Sequence, residues 1–279
     1  MDVNWQNIYR GALMGVSNII PGVSAGTIAL VLGIYDRLIS SISDFFSKRY
    51  KEALPFLLPL GIGVVGGILI FGRLIGWLLA EHAVPTQFFF LGLIIGVIPL
   101  IFKEGEMRTA FRPAHFLLTV TVAVMLALLA VFLPEEGARS TFILTAASGV
   151  WLFVAGAAAS VSLLLPGISG AIVLILFGVY EPAIHALNTL NLPVIFILVF
   201  GIALGFILSS KLIRYVLHTY PYATYAVILG LLAGSLFHVY PGIDAERSTL
   251  ILSAFTLAGG FFLAFKTGGG SADKKERVS

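Results

Sequence analysis

"GALMGVSNIIPGVSAGTIALVLGIYDRLISSI", residues 11–42, recurs as "GAAASVSLLLPGISGAIVLILFGVYEPAIHAL", residues 156–187. The two stretches align without a gap at an offset of 145. Ser17 falls on Ser162, Pro21-Gly22 on Pro166-Gly167, Ser24 on Ser169, and Gly33-Ile-Tyr-Asp36 on Gly178-Val-Tyr-Glu181. Each is apolar enough for a membrane helix, yet each is cut by Pro-Gly. Proline removes a backbone donor and clashes with the preceding turn, and glycine accepts the dihedrals of a sharp reversal. Further on, the likeness continues at an offset of 138. Gly63, Gly67, Arg73, Thr86, Gly92 and Gly96 fall on Gly201, Gly205, Lys211, Thr224, Gly230 and Gly234, which makes the second copy's linker seven residues shorter. The chain is a duplication of one unit, a broken segment followed by three spans.

Composition fixes the solvent. Of 279 residues, 58% are hydrophobic and only 11% charged, with a mean hydropathy of +1.01; soluble domains carry roughly 25% charged residues. The chain reads as an all-α polytopic membrane protein. A span needs about 20 apolar residues, and 54–80, 86–102, 114–133, 191–217, 221–239 and 249–266 meet or approach that length. The broken regions, 5–40 and 141–187, are each either a kinked span or a re-entrant hairpin, and 141–165 is long enough to cross before Pro166. Irregular backbone at membrane depth is tolerated only where protein or a water-filled cavity satisfies it. The opening MDVNWQNIYR lacks a basic n-region, so the first apolar segment is expected to stay in the mature protein. The absence of cysteine excludes disulfides and thiolate chemistry. The five histidines lack the i, i+4 spacing of a helical metal pair, so neither a metal nor a cofactor is expected. A net charge of +3 gives no reason to expect nucleic acid.

The parity of the spans predicts topology. If each broken segment returns to its side of entry, three spans separate the copies and the second copy is inverted. All 17 Lys and Arg except Arg73, Arg139 and Arg247 then fall on one side, together with both termini. The positive-inside rule makes that side the cytoplasm. The expected units are 1–138 and 139–266 as inverted repeats, each a Pro-Gly-broken re-entrant hairpin plus three transmembrane helices, with 267–279 as a disordered cytoplasmic tail.

Three matched constellations carry possible chemistry. The Pro-Gly loops, with Ser17, Asn18, Pro21, Gly22, Ser24, Gly26 and Thr27 in one copy and Ser162, Pro166, Gly167, Ser169 and Gly170 in the other, bring hydroxyls beside helix N-termini. Such termini attract anions, although Pro-Gly can also merely kink packed helices. Arg73 and Lys211 lie in apolar surroundings and would either answer an anionic substrate or snorkel to an interface. Asp36 and Glu181 either couple protons or cap solvated helix ends. GVSAG around Ser24 and GISG at 167–170 also match short serine-nucleophile patterns, with His218 and His238 as candidate bases. A rhomboid-like protease, however, needs one nucleophile and not two symmetric ones. The loops and cations would equally suit a carrier of a soluble anion, and the small-residue packing alone would suit a structural scaffold.

These stretches, with the PGVS-G-T signature at Pro21, Gly22, Val23, Ser24, Gly26 and Thr27, resemble the bacterial membrane family catalogued as domain of unknown function 368. Its members are regarded as undecaprenyl phosphate translocases, or polyprenyl-phosphate transporters. The resemblance covers the chain up to its polar tail. It implies a flippase, not an enzyme, in the bacterial cytoplasmic membrane, which returns the phosphorylated lipid carrier of cell-wall synthesis from the outer to the inner leaflet. The second copy departs from the signature with Ala171 and Ile172 at the positions of Gly26 and Thr27.

Overall fold

A computed structural model describes residues 4–19, 23–105, 107–131, 144–242 and 247–276. Pro21 and Gly22 lie outside the described residues, as does Arg139. The first copy contains α1 (Gln6–Ser17), α2 (Ala25–Val31), α3 (Tyr35–Phe45), α4 (Tyr50–Glu81), α5 (Ala83–Glu104), the single turn α6 (Met107–Ala110) and α7 (Pro113–Val131). The second contains α8 (Ala146–Leu164), α9 (Gly170–Leu176), α10 (Tyr180–Asn188), α11 (Leu192–Thr219), α12 (Pro221–Val239) and α13 (Arg247–Glu276). No strand occurs among the described residues. The 145 and 138 offsets reappear in the helix bounds: α2 begins at 25 and α9 at 170, while α4 ends at 81 and α11 at 219.

Among the described residues, six helices are long and apolar enough to cross a membrane: α4, α5, α8, α11, α12 and the Ser248–Thr267 part of α13. Their outward faces carry exposed Leu69, Ile70, Phe196, Phe200, Phe255 and Phe262, a surface suited to hydrocarbon. This is a multi-pass membrane protein. The set takes in one helix that the sequence-based spans did not, α8. Ala146–Leu164, assigned above to a broken segment, has 19 residues and reaches about 28 Å at 1.5 Å per residue, whereas its counterpart α1 has 12. α7, Pro113–Val131, has 19 residues up to the last described residue of that stretch and covers most of the expected span 114–133. α13 continues as helix to Glu276, through much of the segment expected to be a disordered tail.

Each broken segment has a second interruption that the Pro-Gly pattern does not announce. Gly33 and Gly178 have φ of +61° and +67°. Around them, the N–H of Ile34 reaches Ala29 O and that of Val179 reaches Leu174 O, each at 2.9 Å, spanning five residues. These are matched Schellman closures, in which a left-handed glycine ends a helix and satisfies its last carbonyls. At the second of them α9 and α10 meet at 112°.

The glycines that mark the repeat are helix crossings. A Cβ on Gly11 or Gly63 would overlap Leu60 O or Ile8 O across the α1–α4 crossing; one on Gly201 would overlap Phe153 O between α8 and α11. Gly92 and Gly96 pack on Leu257 and Phe261 of α13 in the same manner, and Gly230 and Gly234 on Thr119 and Ala123 of α7. These are GxxxG spacings, which bring backbones close where no hydrophobic drive operates between helices in lipid. In every pair the contacts advance in the same direction along both chains, so α1 runs parallel to α4, α8 to α11, α5 to α13, and α12 to α7. The copies interlock, since two of the four pairs join one copy to the other. An ion pair adds a further link, from Asp44 at the end of α3 to Arg214 on α11 at 2.6 Å, with Arg49 on the same carboxylate at 2.8 Å.

Gly63→Ala is expected to destabilise the protein by about 1–3 kcal/mol through overpacking. Gly61→Ala, two residues earlier where a Cβ meets nothing within 4 Å, should be neutral or slightly stabilising. Thermal unfolding in detergent micelles compares them, and equal midpoints would contradict the tight crossing.

Candidate functional site

Ser24 is the N-cap of α2, with extended backbone at φ −109° and ψ 157°, and its Oγ accepts from Thr27 N–H at 3.3 Å. The same hydroxyl donates to Leu165 O in the second copy's Pro-Gly loop at 3.1 Å. Thr27 Oγ1, 3.2 Å from Ser24 Oγ, accepts the Gly167 N–H at 3.1 Å. Both hydroxyls are essentially inaccessible, at 1% and 0% exposure. A Cβ on Gly26 would lie 2.7 Å from Leu164 O, so the absence of a side chain lets α2 approach the second loop. Gly167 is held on its other side by α12: its φ is +86°, and a Cβ would lie 2.5 Å from Leu231 O. The structure therefore brings Ser24, Gly26 and Thr27 together with Pro166 and Gly167. Asn18 joins from the far side of the first break, where its Oδ1 accepts the Ala25 N–H at 3.0 Å.

The two copies meet unequally. Every residue of α2 from Gly26 to Val31 is buried, and the N–H groups of Ala25 and Thr27 are taken by Asn18 and Ser24. Only Gly170 and Ile172 of α9 are buried, and Ser169, its N-cap, is half-buried with no cap hydrogen bond from its side chain. Ser17 and Ser162 donate back to Met14 O and Ala159 O of their own helices, at 2.8 and 2.7 Å, and so serve local structure. Arg73 and Lys211 are exposed and line neither of the cavities described next. Arg73 nonetheless sits at the depth of the first break, since a Cβ on the neighbouring Gly72 would lie 3.8 Å from Ile19. Asp36, half-buried, and Glu181, exposed, occupy the first turns of α3 and α10, where a carboxylate suits the helix dipole.

Two cavities flank the contact. The larger, about 470 Å³, lies between the α1–α4 and α5–α13 pairs; Ile28 and Val31 of α2 form one wall and His82 sits at the α4–α5 turn. The smaller, about 300 Å³, lies inside the α11–α12 turn against Leu165 and Tyr35. They are built from equivalent parts: Ile75, His82 and Thr86 in one correspond at 138 residues' distance to Ile213, Tyr220 and Thr224 in the other. Thr86 and Thr224 also make the same bonds, to His82 O at 2.7 Å and to Tyr220 O at 2.9 Å. The repeat alignment already pairs these threonines; the cavities they flank have no signature in the sequence.

Residues 14–253 match the undecaprenyl phosphate translocase-like family. The chain belongs to that family. It is 37% identical over 271 residues to a polyprenyl-phosphate transporter of Staphylococcus aureus, which covers 95% of this chain and 96% of the relative. It is 30% identical over 253 residues to a polyprenyl-phosphate transporter of Vibrio cholerae, covering 86% and 79%. No solved structure matches it significantly. The chain is thus a transporter and not an enzyme. The Ser24 hydroxyl is engaged by Leu165 and Thr27.

Thr27→Val keeps the shape and removes the acceptor, leaving the buried Gly167 N–H unpaired. It is expected to cost about 1–3 kcal/mol, while Thr27→Ser should retain most of the stability. Thermal midpoints of the two variants check this; an unaffected valine variant would show that the bond does not hold the loops together.

Proposed function

We propose that the chain carries polyprenyl phosphate, with undecaprenyl phosphate as the natural example, from the outer to the inner leaflet of the bacterial cytoplasmic membrane. The observation that carries this reading is the contact of the two interrupted segments, Ser24 and Thr27 with Leu165 and Gly167, beside an apolar cavity between helix pairs. The barrier to moving such a lipid is its head, because an ionised group in hydrocarbon costs many kcal/mol whereas the isoprenoid tail costs nothing. A carrier need shield only the phosphate. The interrupted segments supply N–H groups and hydroxyls for this, of which Ser169 is uncommitted as a cap. The seam between α1–α4 and α5–α13 lets the tail stay in lipid.

The parallel helix pairs support inverted repeats. α4 and α5 meet at the single residue His82, and both Ile75 and Phe90 reach one cavity, so α5 runs back along α4. The same holds for α11 and α12 about Tyr220. α7 follows α5 and returns; α12 is parallel to α7, hence also to α4, and α11 is antiparallel to α4. With both termini in the cytoplasm by the positive-inside rule, the large cavity runs from the outer α4–α5 turn inward along α13 as far as Thr267, and the small one lies in the inner half. Two half-cavities made from equivalent parts are what alternating access requires.

To Arg73 and Lys211, exposed at matched depth, we assign capture of the phosphate at the lipid-facing surface. Asp36 is the carboxylate we assign to proton coupling, being half-buried where Glu181 is exposed. Liposomes containing the protein, offered polyprenyl phosphate, its diphosphate and inorganic phosphate under pH gradients of either sign, test the reading. Transfer of polyprenyl phosphate is expected, lost in Arg73→Gln without loss of folded protein. Movement of inorganic phosphate alone would instead establish a carrier of soluble anions.

A further inference from the structure

The larger cavity, about 470 Å³, is long and narrow. Along α13 its wall runs from Leu252 to Thr267, about 22 Å at 1.5 Å per residue. Spread over that length, the volume gives a cross-section of about 20 Å², the width of one hydrocarbon chain and not of two. The walls offer a ligand no charge, since no charged residue among the described ones lines them. Their hydroxyls are committed as well: Thr86, Thr256 and Thr267 donate to His82 O at 2.7 Å, Pro85 O at 2.7 Å and Leu263 O at 2.8 Å. The His82 ring stands at the outer α4–α5 turn, edge-on to Trp77 with 5.3 Å between centroids. Ile28 and Val31 of α2 close one side. The same short helix starts at the contact of Ser24 with Leu165, so the cavity continues directly from the place where the two interrupted segments meet.

We propose that this cavity binds the head-proximal end of the isoprenoid tail and measures it: about four isoprene units lie along α13, and the units beyond them trail into lipid without adding to recognition. The inference rests on the function proposed above and adds to it which part of the lipid is read. Volume sets the count. An apolar cavity of about 150 Å³ takes a six-carbon ring, so 470 Å³ takes roughly 19 carbons, just under four five-carbon units. Width selects a lipid with a single chain, because a phospholipid could insert only one of its two tails. Continuity with the loop contact selects the same lipid. A phosphate held at the start of α2 has the cavity directly behind Ile28, whereas a resident phospholipid keeps its head at the membrane surface. Hydrophobicity as such gives no preference, since the tail exchanges one hydrocarbon for another. What remains is packing against fixed walls, where a methyl-branched, unsaturated chain and a straight acyl chain differ in shape. The gain per unit is therefore modest, and it ends where the wall ends.

Binding of polyprenyl phosphates of graded length to the full chain, in nanodiscs of a single phosphatidylglycerol and with Kd expressed as a mole fraction of the bilayer, tests this. The probes are geranyl, farnesyl, geranylgeranyl and undecaprenyl phosphate, with two, three, four and eleven units. Affinity is expected to rise roughly tenfold from geranyl to geranylgeranyl phosphate through added packing contacts, and to agree within about twofold between geranylgeranyl and undecaprenyl phosphate. Leu252→Trp and Leu263→Trp fill the cavity from α13, at residues 49% and 50% exposed where a larger side chain does not disturb the core. Each should bring the plateau down to farnesyl phosphate, a change in length dependence that a merely destabilised protein would not show. Phe255→Trp, exposed on the same helix but outside the cavity, should leave the series as it is. Affinity that keeps rising up to undecaprenyl phosphate, or that is equal from geranyl phosphate upward, overturns the measure, and so does a plateau that neither tryptophan shifts. In those cases the lipid still binds and the proposed function stands. If the unaltered chain binds none of the four, the proposed function falls and the inference with it.

Discussion

The hydrogen bond from the Gly167 N–H to Thr27 Oγ1 expresses the constraint on which this architecture depends. Inside hydrocarbon a backbone interruption frees donors and acceptors that no water can satisfy, so a chain that breaks two helices must bring each break to a partner. Here the partner of the second break is the first copy. Ser24 takes up Leu165 O, Thr27 takes up Gly167 N–H, and Gly26 stays bare so that the backbones can approach. Burial of α2 from Gly26 to Val31 follows, as does the position of α12, whose Leu231 closes the other side of Gly167. The four parallel GxxxG pairs form the frame that delivers the breaks to one place. Two of them join the copies, so the frame cannot be divided without opening the contact.

Much of this was legible in the sequence because a duplication reports twice. One Pro-Gly pair is a kink; two at matched positions, followed by glycines in step, imply two broken segments in one frame, and α2, α4, α9 and α11 lie where the offsets place them. What stayed hidden was what depends on contact between the copies. The alignment sets Ser24 opposite Ser169, yet Ser24 meets Leu165 and Thr27 meets Gly167, because it is backbone groups that need satisfying and hydroxyls that satisfy them. The second break at Gly33 and Gly178 was visible only as shared letters, since a left-handed glycine leaves no mark until its carbonyls are traced. The outward aspect of Arg73 follows from helical phase: the buried face of α4 runs through Leu60, Gly63, Gly67 and Ile75, and Arg73 lies off it.

The two copies have diverged where they touch. Asp44 and Arg214 form an ion pair across the copies, but their counterparts are Thr189 and Gly76, which cannot. α2 lies within the main core, whereas α9 is largely outside it and α10 packs in a smaller separate cluster. A partly exposed pair contributes only about 0–1 kcal/mol, yet about 1 kcal/mol already biases a two-state population roughly fivefold. On the function proposed above, differences of this size would suffice to favour one of two arrangements of the copies.

The departure of the second copy from the PGVS-G-T pattern bears on how the cycle closes. The bond that seals the present arrangement uses the hydroxyl of Thr27 as acceptor, and the equivalent residue is Ile172, which has no oxygen to offer the first loop's amides. An exchange of roles between the copies would therefore leave those amides short of the partner that Gly167 now has. On the function proposed above, the missing acceptor is the substrate. A phosphate brings several strong acceptor oxygens to that position, so the arrangement that the protein alone satisfies poorly is the one that the lipid head stabilises. A ligand shifts an equilibrium only by its differential affinity for the two states. On that reading, loss of one hydroxyl in one copy would supply the differential and tie movement of the helices to the presence of cargo.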